Sequence, residues 1–277
     1  MDNKDLELIF LGSSGAIQVP SFHCSCNTCE EARRNSKLKR TRASVVLLGS
    51  ETILIDASPD MEFQLEREQI RSVDHIFITH WHYDHCFGLA AFPELGSHGN
   101  WEKKIIDLYL PEQDLGYFER DFAWAKYRFN LHPVTPGDII ELPDASFEVV
   151  KTTHTIDSVG YIISSPNSTY AYLVDGVIPP KETINRLKQK KVDILILEGT
   201  LDELILPEGV TWQNFSVNQA ITFWKSLSTS NCILTHLSCH RWNIDRLTAG
   251  FTSSERRAIE KENPGLIFAY DGLKMNV

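Results

Sequence analysis

The sequence predicts an α/β fold: a sheet-rich domain with helices on its outside. Short apolar and β-branched runs alternate with amphipathic segments of helical period. The early runs are joined by tight turns, whereas the later ones are separated by helices in β-α-β order. No Gly/Ser-rich or Pro-rich linker divides the 277 residues, so residues 1–277 are expected to form a single domain. With 42% hydrophobic and 23% charged residues, the chain has the composition of a globular protein rather than a disordered one.

Leu6–Leu11 is an apolar strand ending at the turn Gly12-Ser13-Ser14-Gly15. Ser44–Leu48 and Thr52–Ile55 flank Gly49-Ser50 and form a hairpin pattern. His75–Ile78 is a buried strand that runs into a His-rich segment, and Glu112–Phe129 has helical spacing with several aromatics. Phe147–Lys151, Tyr161–Ser164 and Tyr170–Val174 read as strands, the last two joined by Pro166-Asn167-Ser168. Pro180–Lys190 is a helix with proline at its start, where a missing N–H costs nothing. Asp193–Leu197, a helix around Val217–Leu227 and Cys232–Leu234 continue as β-α-β, and the chain closes with a helix at Glu255–Glu262 and a strand at Leu266–Ala269. Ser97–Lys104 reads as a surface loop.

The chain carries 27 Lys+Arg against 37 Asp+Glu, a net charge of −10, which disfavours non-specific binding to a polyanion. No apolar run approaches the roughly 18 residues of a membrane span, and Met1–Glu7 lacks the basic and apolar regions of a secretory signal. Six cysteines are too few for a disulfide scaffold, so the expected compartment is the reducing cytoplasm.

Chemistry concentrates in Thr79-His80-Trp81-His82-Tyr83-Asp84-His85, which places four candidate ligands in six residues. His80 and His82 project to one side of an extended segment, while Asp84 and His85 turn toward a second point. Imidazole and carboxylate suit zinc, manganese or iron. His154, Asp175 and His236 share a context, a polar ligand type just past an apolar strand, and together they supply what two adjacent metals need. His75, His98 and His132 lack that context and read as structural or surface residues. Cys24, Cys26 and Cys29 lie within six residues, which points to a metal rather than a bridge. A structural zinc takes four ligands, and Leu237-Ser238-Cys239-His240 lies just past His236 to offer the fourth. Cys86 and Cys232 read as small core residues. Arg33, Arg34, Lys37, Lys39, Arg40 and Arg42 form a basic run, most simply a solvated face and alternatively an attraction for a phosphorylated substrate.

The pattern His-x-His-x-Asp-His at 80–85, followed in order by His154, Asp175 and His236, resembles the metallo-β-lactamase superfamily. The resemblance implies a four-layer αβ/βα sandwich with two divalent metals at one edge of paired sheets. Carried over, His80, His82 and His154 hold the first metal, Asp84, His85 and His236 the second, and Asp175 bridges them. Asp56 and Asp271 match acidic positions of the family that act behind the ligands; for Asp56 a turn-capping role stands equally open, and for Asp271 a turn in a closing hairpin is the preferred reading. The cysteine knuckle at 23–29 is similar to that of the cyclic phosphodiesterase group of the bacterial carbon–phosphorus lyase pathway. There the fourth zinc ligand lies three residues after the last catalytic His, which is Cys239 here, with His240 as the variant. That group also has a His about 22 residues before the last metal-binding His, and the same place here is Asn214. Asparagine can hydrogen-bond a phosphoryl oxygen but cannot act as a general acid. Asp84 and Asn214 are the residues carried over to the chemical step.

The function this implies is dinuclear hydrolysis of a small, cyclic or open phosphodiester, with a metal-bridging hydroxide attacking phosphorus. The cofactors are two catalytic divalent ions, zinc or manganese with iron as a further option, and one structural zinc. The expected partner is a small phosphorylated substrate; nucleic acid and membrane are not expected, and a homodimer is left open. Two alternatives stand beside this reading: an RNA-processing nuclease of the same superfamily, and a non-catalytic metal-binding accessory protein of cofactor biosynthesis.

Overall fold

A computed structural model describes residues 6–95, 104–200, 213–243, 246–249 and 252–276, with backbone alone for 240–243 and 246–249. In chain order the elements are β1 (Glu7–Gly12), α1 (Asn27–Arg34), β2 (Ser44–Leu48), β3 (Thr52–Ile55), α2 (Met61–Arg67), β4 (His75–Phe77), α3 (Tyr83–Cys86), α4 (Phe92–Leu95), β5 (Ile106–Pro111), α5 (Leu115–Phe122), β6 (Phe129–Val134), β7 (Ile139–Glu141), β8 (Ser146–Lys151), β9 (Val159–Ser164), β10 (Thr169–Leu173), α6 (Lys181–Lys190), β11 (Ile194–Glu198), α7 (Val217–Ser226), β12 (Asn231–Thr235), β13 (His240–Asn243), β14 (Arg246–Ala249), α8 (Ser253–Glu262), β15 (Leu266–Phe268) and β16 (Leu273–Asn276).

Two seven-stranded sheets pack face to face, ordered β16-β1-β2-β3-β4-β5-β6 and β15-β12-β11-β10-β9-β8-β7, while β13 and β14 form a separate ribbon. Alternation within the strands generates the layers. In β1, Leu8 and Phe10 face the inter-sheet core, while Ile9 and Leu11 pack outward with residues of α2 and α5. A third cluster joins the outer face of the second sheet to residues of α6 and α7. The result is helix, sheet, sheet, helix: the four-layer αβ/βα sandwich expected. Across the centre, Phe77 of β4 stacks on Phe147 of β8 at 4.3 Å, and Tyr161 of β9 donates a 2.6 Å hydrogen bond to the carbonyl of Ile78. Helix starts are sequence-encoded: Ser216 with Gln219, and Thr252 with Glu255, form capping boxes on α7 and α8.

Strands β3 to β6 are mutually parallel, as are β10, β11, β12 and β15. The loops at their C-terminal ends therefore gather at one edge of the sandwich, where ligands bind in open parallel sheets. No helix among the described residues is long and apolar enough to cross a membrane.

Several expectations are corrected. Glu112–Phe129 is not one helix: a short 3-10 turn, α5 and a second 3-10 turn share it, and Phe129 opens β6. Burial of Phe118, Phe122, Ala125 and Arg128 imposes the helical spacing that suggested a continuous element. The strands β5 and β6 also go beyond the reading: Pro111 closes β5, while Pro133 interrupts β6, which tolerates it as an edge strand. Asp271 does not turn a closing hairpin, because β15 and β16 lie in different sheets. The chain crosses between sheets there, and Asp271 accepts hydrogen bonds from Ser13 Oγ (2.9 Å), Thr41 N (2.8 Å) and Thr41 Oγ1 (2.6 Å). The loop expected at Ser97–Lys104 falls, except for Lys104, outside the described residues.

Candidate metal centre

The His-rich segment leaves β4 and is fixed at its first residue. Thr79 donates from N (2.9 Å) and Oγ1 (3.0 Å) to Asp56 at the end of β3. Trp81 faces the other way, among Phe118 and Phe122, and its Nε1 donates to Asp121 at 2.9 Å. With Trp81 anchored outward, His80 and His82 face inward, and the single turn of α3 brings Asp84 and His85 back toward them. His154 arrives past β8, Asp175 past β10 and His236 past β12. Two glycines permit this convergence. A Cβ on Gly176, whose φ is +146°, would lie 2.5 Å from the Thr153 carbonyl oxygen, and one on Gly15 would lie 3.1 Å from the His236 ring.

The seven side chains singled out in the sequence meet. Ligand atoms of His80, His82, His154 and Asp175 lie within 4.8 Å of one another, as do those of Asp84, His85 and His236. Nε2 of His80 is 3.0 Å, and Nε2 of His154 3.1 Å, from Nδ1 of His82. Asp84 Oδ2 is 3.4 Å from Nε2 of both His85 and His236. Asp175 Oδ2 stands 3.6 Å from His154 Nε2 and 3.6 Å from His236 Nε2, between the two groups.

The outward nitrogens are committed elsewhere, which fixes tautomer and ring direction. His80 Nδ1 contacts Thr79 Oγ1 at 2.9 Å, His85 Nδ1 contacts Asp56 Oδ2 at 2.8 Å, His154 Nδ1 contacts the Gln213 carbonyl at 3.2 Å, and His236 Nδ1 contacts Thr200 Oγ1 at 2.9 Å. Asp56 thus holds the His85 ring by its outward nitrogen. Asp56 and His236 both hold positive φ, 60° and 56°, a conformation that non-glycine residues adopt at a cost.

Charges of the site's own groups are finely opposed. Burial and the neighbouring His85, His154 and His82 hold His80 well below its ordinary range. Burial depresses His154 to about 4. Burial alone would depress His85 too, but the Asp56 and Asp84 carboxylates lift it to about 10. His236 is likewise lifted against burial, by Asp175, Asp84 and Glu198. Burial and Glu198 push Asp175 upward, whereas His85 and His236 hold Asp84 far below the usual carboxylate range despite its burial. The donor set fits two divalent cations: converging imidazole nitrogens and carboxylate oxygens, with the buried Nε2 of His85 lacking any hydrogen-bond partner.

Glu198 was missed. It is fully buried at the end of β11 and accepts from Gly176 N (2.9 Å), Phe215 N (2.8 Å), Asn214 Nδ2 (2.9 Å) and Thr200 Oγ1 (2.6 Å), with His236 Nδ1 3.3 Å away. Its sequence context, an acid ending an apolar strand, is that of Asp175. Against burial, contacts with His236 and Asp175 hold it down to about 2. Asn214 is placed differently from the expectation that it would bond a phosphoryl oxygen. Its Nδ2 donates to Asp175 Oδ1 and Glu198 Oε2, so both amide hydrogens are engaged and it orients the carboxylate. Asp271 sits beyond the ligands, on Ser13, Thr41 and Arg67, and bonds none of the seven in the contacts described.

The thiols of Cys24, Cys26, Cys29 and Cys239 also converge within 4.8 Å. Backbone N–H groups of Cys26, Cys29 and Ser21 donate to Sγ of Cys24, Cys26 and Cys29 at 3.4, 3.5 and 3.2 Å. Four sulfurs without a disulfide match a tetrahedral thiolate site. The alternative ligand His240 has a side chain outside the described set. Cys86 and Cys232 are buried in the core as expected. The basic run divides: Lys37 and Lys39 are exposed, Arg42 pairs with Asp60 at 3.0 Å, and Arg40 is buried, so a single solvated face is not what forms.

A sequence model for a β-lactamase superfamily domain matches residues 51–237. An octanoyltransferase of Porphyromonas gingivalis is 28% identical over 247 residues, covering 85% of this chain and 46% of that protein. A ribonuclease Z of Crocosphaera subtropica is 26% identical over 200 residues, covering 67% of this chain and 58% of that protein. The chain thus spans about half the length of these relatives. The crystal structure of a diphosphatase from the PhnP family superposes with a TM-score of 0.79 at 26% identity, covering 98% of this chain and 97% of that one.

Proposed function

Because this chain belongs to the β-lactamase superfamily, we propose that its paired His/Asp clusters hold two divalent cations and that it hydrolyses a small phosphodiester. The observation that carries the reading is Asp175, whose Oδ2 stands 3.6 Å from ligand nitrogens of both clusters. An oxygen shared between the two halves favours a matched pair of hard cations, which suits displacement at phosphorus. Similarity to a diphosphatase and to a ribonuclease, both named for phosphorus–oxygen chemistry, supports the same class. When bound, the cations supply an activated water and charge stabilisation at the phosphoryl oxygens.

The protein's own groups do the rest. His80, His82 and His154 offer one face and Asp84, His85 and His236 the other, each imidazole but His82 steered by the partner on its far nitrogen. Asn214 and Glu198 hold Asp175 and His236 at the meeting point. Arg42 donates to the Ala16 carbonyl (2.9 Å) and to Tyr83 Oη (3.2 Å), tying the loop after β1 against the His-rich segment. Paired to Asp60, Arg42 braces the cleft wall rather than offering a net positive charge to substrate.

The test is turnover of bis(p-nitrophenyl) phosphate and of a cyclic ribose phosphate by protein reconstituted with zinc or manganese. His82→Ala and Asp175→Ala are expected to lose bound metal and activity together. Full turnover by His82→Ala in metal-free buffer overturns the reading. The ribonuclease reading draws on the Crocosphaera similarity, and the net charge of −10 weighs against it. Cleavage of a labelled tRNA precursor at catalytic protein concentration is the result that favours it.

A further inference from the structure

We propose that Arg40 is the counter-ion of the tetracysteine site, placed to neutralise the charge that appears when Cys24, Cys26, Cys29 and Cys239 become metal-bound thiolates. This rests on the cysteines as a metal site and is independent of which ester the active site cleaves.

Four thiolates around one divalent cation carry two net negative charges, and burying them requires nearby positive charge. Arg40 supplies it from an otherwise unfavourable position. Its side chain is 2% exposed, and Nη2 donates to the carbonyls of Leu237 (3.4 Å) and Ser238 (3.2 Å). Its Nε and Nη1 are buried without any hydrogen-bond partner. A buried guanidinium with two idle nitrogens is destabilising unless an anion faces it.

The surroundings narrow the choice of anion. Arg256, another cation that is 8% exposed and has a partnerless buried Nε, repels Arg40. Asp271 attracts it but is already engaged by Ser13, Thr41 and Arg67. Cys239, next in chain to the Ser238 carbonyl that Arg40 holds, and Cys29, which converges with it, can oppose Arg40 with negative charge. A metal held by these cysteines as thiolates would place beside Arg40 the negative charge that its idle Nε and Nη1 lack. Leu237 and Ser238 span the interval between His236 and Cys239, so the same guanidinium also ties the thiolate site to the loop that carries a catalytic ligand.

Two substitutions separate charge from hydrogen bonding. Arg40→Gln keeps donors near the carbonyls and loses the charge; Arg40→Lys keeps the charge and loses the fork. The full chain is loaded with cobalt(II), and the thiolate-to-cobalt charge-transfer absorption, which the His/carboxylate clusters do not produce, is followed during competition with a chelator. Arg40→Gln is expected to weaken cobalt at that band by about tenfold or more, the range typical of groups supporting metal ligands, and Arg40→Lys is expected to retain it. Wild-type affinity in Arg40→Gln overturns the proposal, as does an equal loss in Arg40→Lys, which would make Arg40 a carbonyl clamp alone. If Arg40→Gln folds only with metal, the cobalt concentration at its folding midpoint is compared with that of Arg40→Lys. A higher requirement for the glutamine variant is the same supporting result, and an equal one the contrary.

Discussion

Chelator-stripped protein is expected to lose stability as pH rises from 6.5 to 10, and the metal-loaded protein is not. The perturbation acts on His85, which is fully buried between Asp56 and Asp84 and has its proton affinity raised to about 10 in the metal-free fold. A folded-state value above the unfolded one stabilises the fold while the group is protonated in both states. That contribution is complete below about pH 6.5, the ordinary histidine value, and vanishes as pH rises through the folded value. A displacement of about three and a half pH units at about 1.4 kcal/mol each sets a ceiling near 5 kcal/mol. Full burial means solvent screening takes little from it. His236 shifts in the same direction and adds to the trend. Because Nε2 of each ring is a proposed ligand atom, metal uptake near pH 7 should release protons from the site, and affinity should climb with pH. Urea melts of stripped protein at pH 6.5, 8 and 9.5 measure the first effect. Calorimetric zinc titrations in buffers of different ionisation enthalpy count the protons. A flat pH dependence of stripped-protein stability, together with zinc binding that releases no protons, would refute the reasoning.

Other substitutions probe the supporting shell. Glu198→Gln removes the buried charge that accepts two backbone N–H groups and faces His236; it should lower stability by about 2–4 kcal/mol and metal affinity by about 10–100-fold, read by urea melts and zinc competition. Asp56→Asn should free the His85 ring and leave Thr79 Oγ1 competing for a weaker acceptor. A loss of about 10–100-fold in affinity for one metal of the pair is expected, seen as a drop from two metals toward one in elemental analysis of the non-thiolate sites.

The seven candidate ligands were legible because each ends or follows an apolar strand, and strand ends are where a sheet delivers side chains to a common edge. Glu198 has the same context but was hidden, since only register makes it significant: it pairs with Thr235, the neighbour of His236. The spacing that singled out Asn214 leads to a residue beside Asp175, but the atoms its amide engages also depend on Glu198, a residue distant in chain and adjacent in space. Arg40 lies in a run of cations that composition marks as solvated. Its burial follows from tertiary packing of the loop after β12, which no local pattern encodes. The separation of β15 from β16 is likewise non-local, set by the ties of Asp271 to Ser13 and Thr41.

The most direct measurement is anomalous diffraction at the metal absorption edge from crystals of the zinc- or manganese-loaded protein. Two peaks about 3.5–4 Å apart are expected, one against His80, His82 and His154, the other against Asp84, His85 and His236, with Asp175 reaching both. A single peak, or His154, Asp175 or His236 turned away from the ions, would contradict the shared site on which the proposed phosphodiester hydrolysis depends.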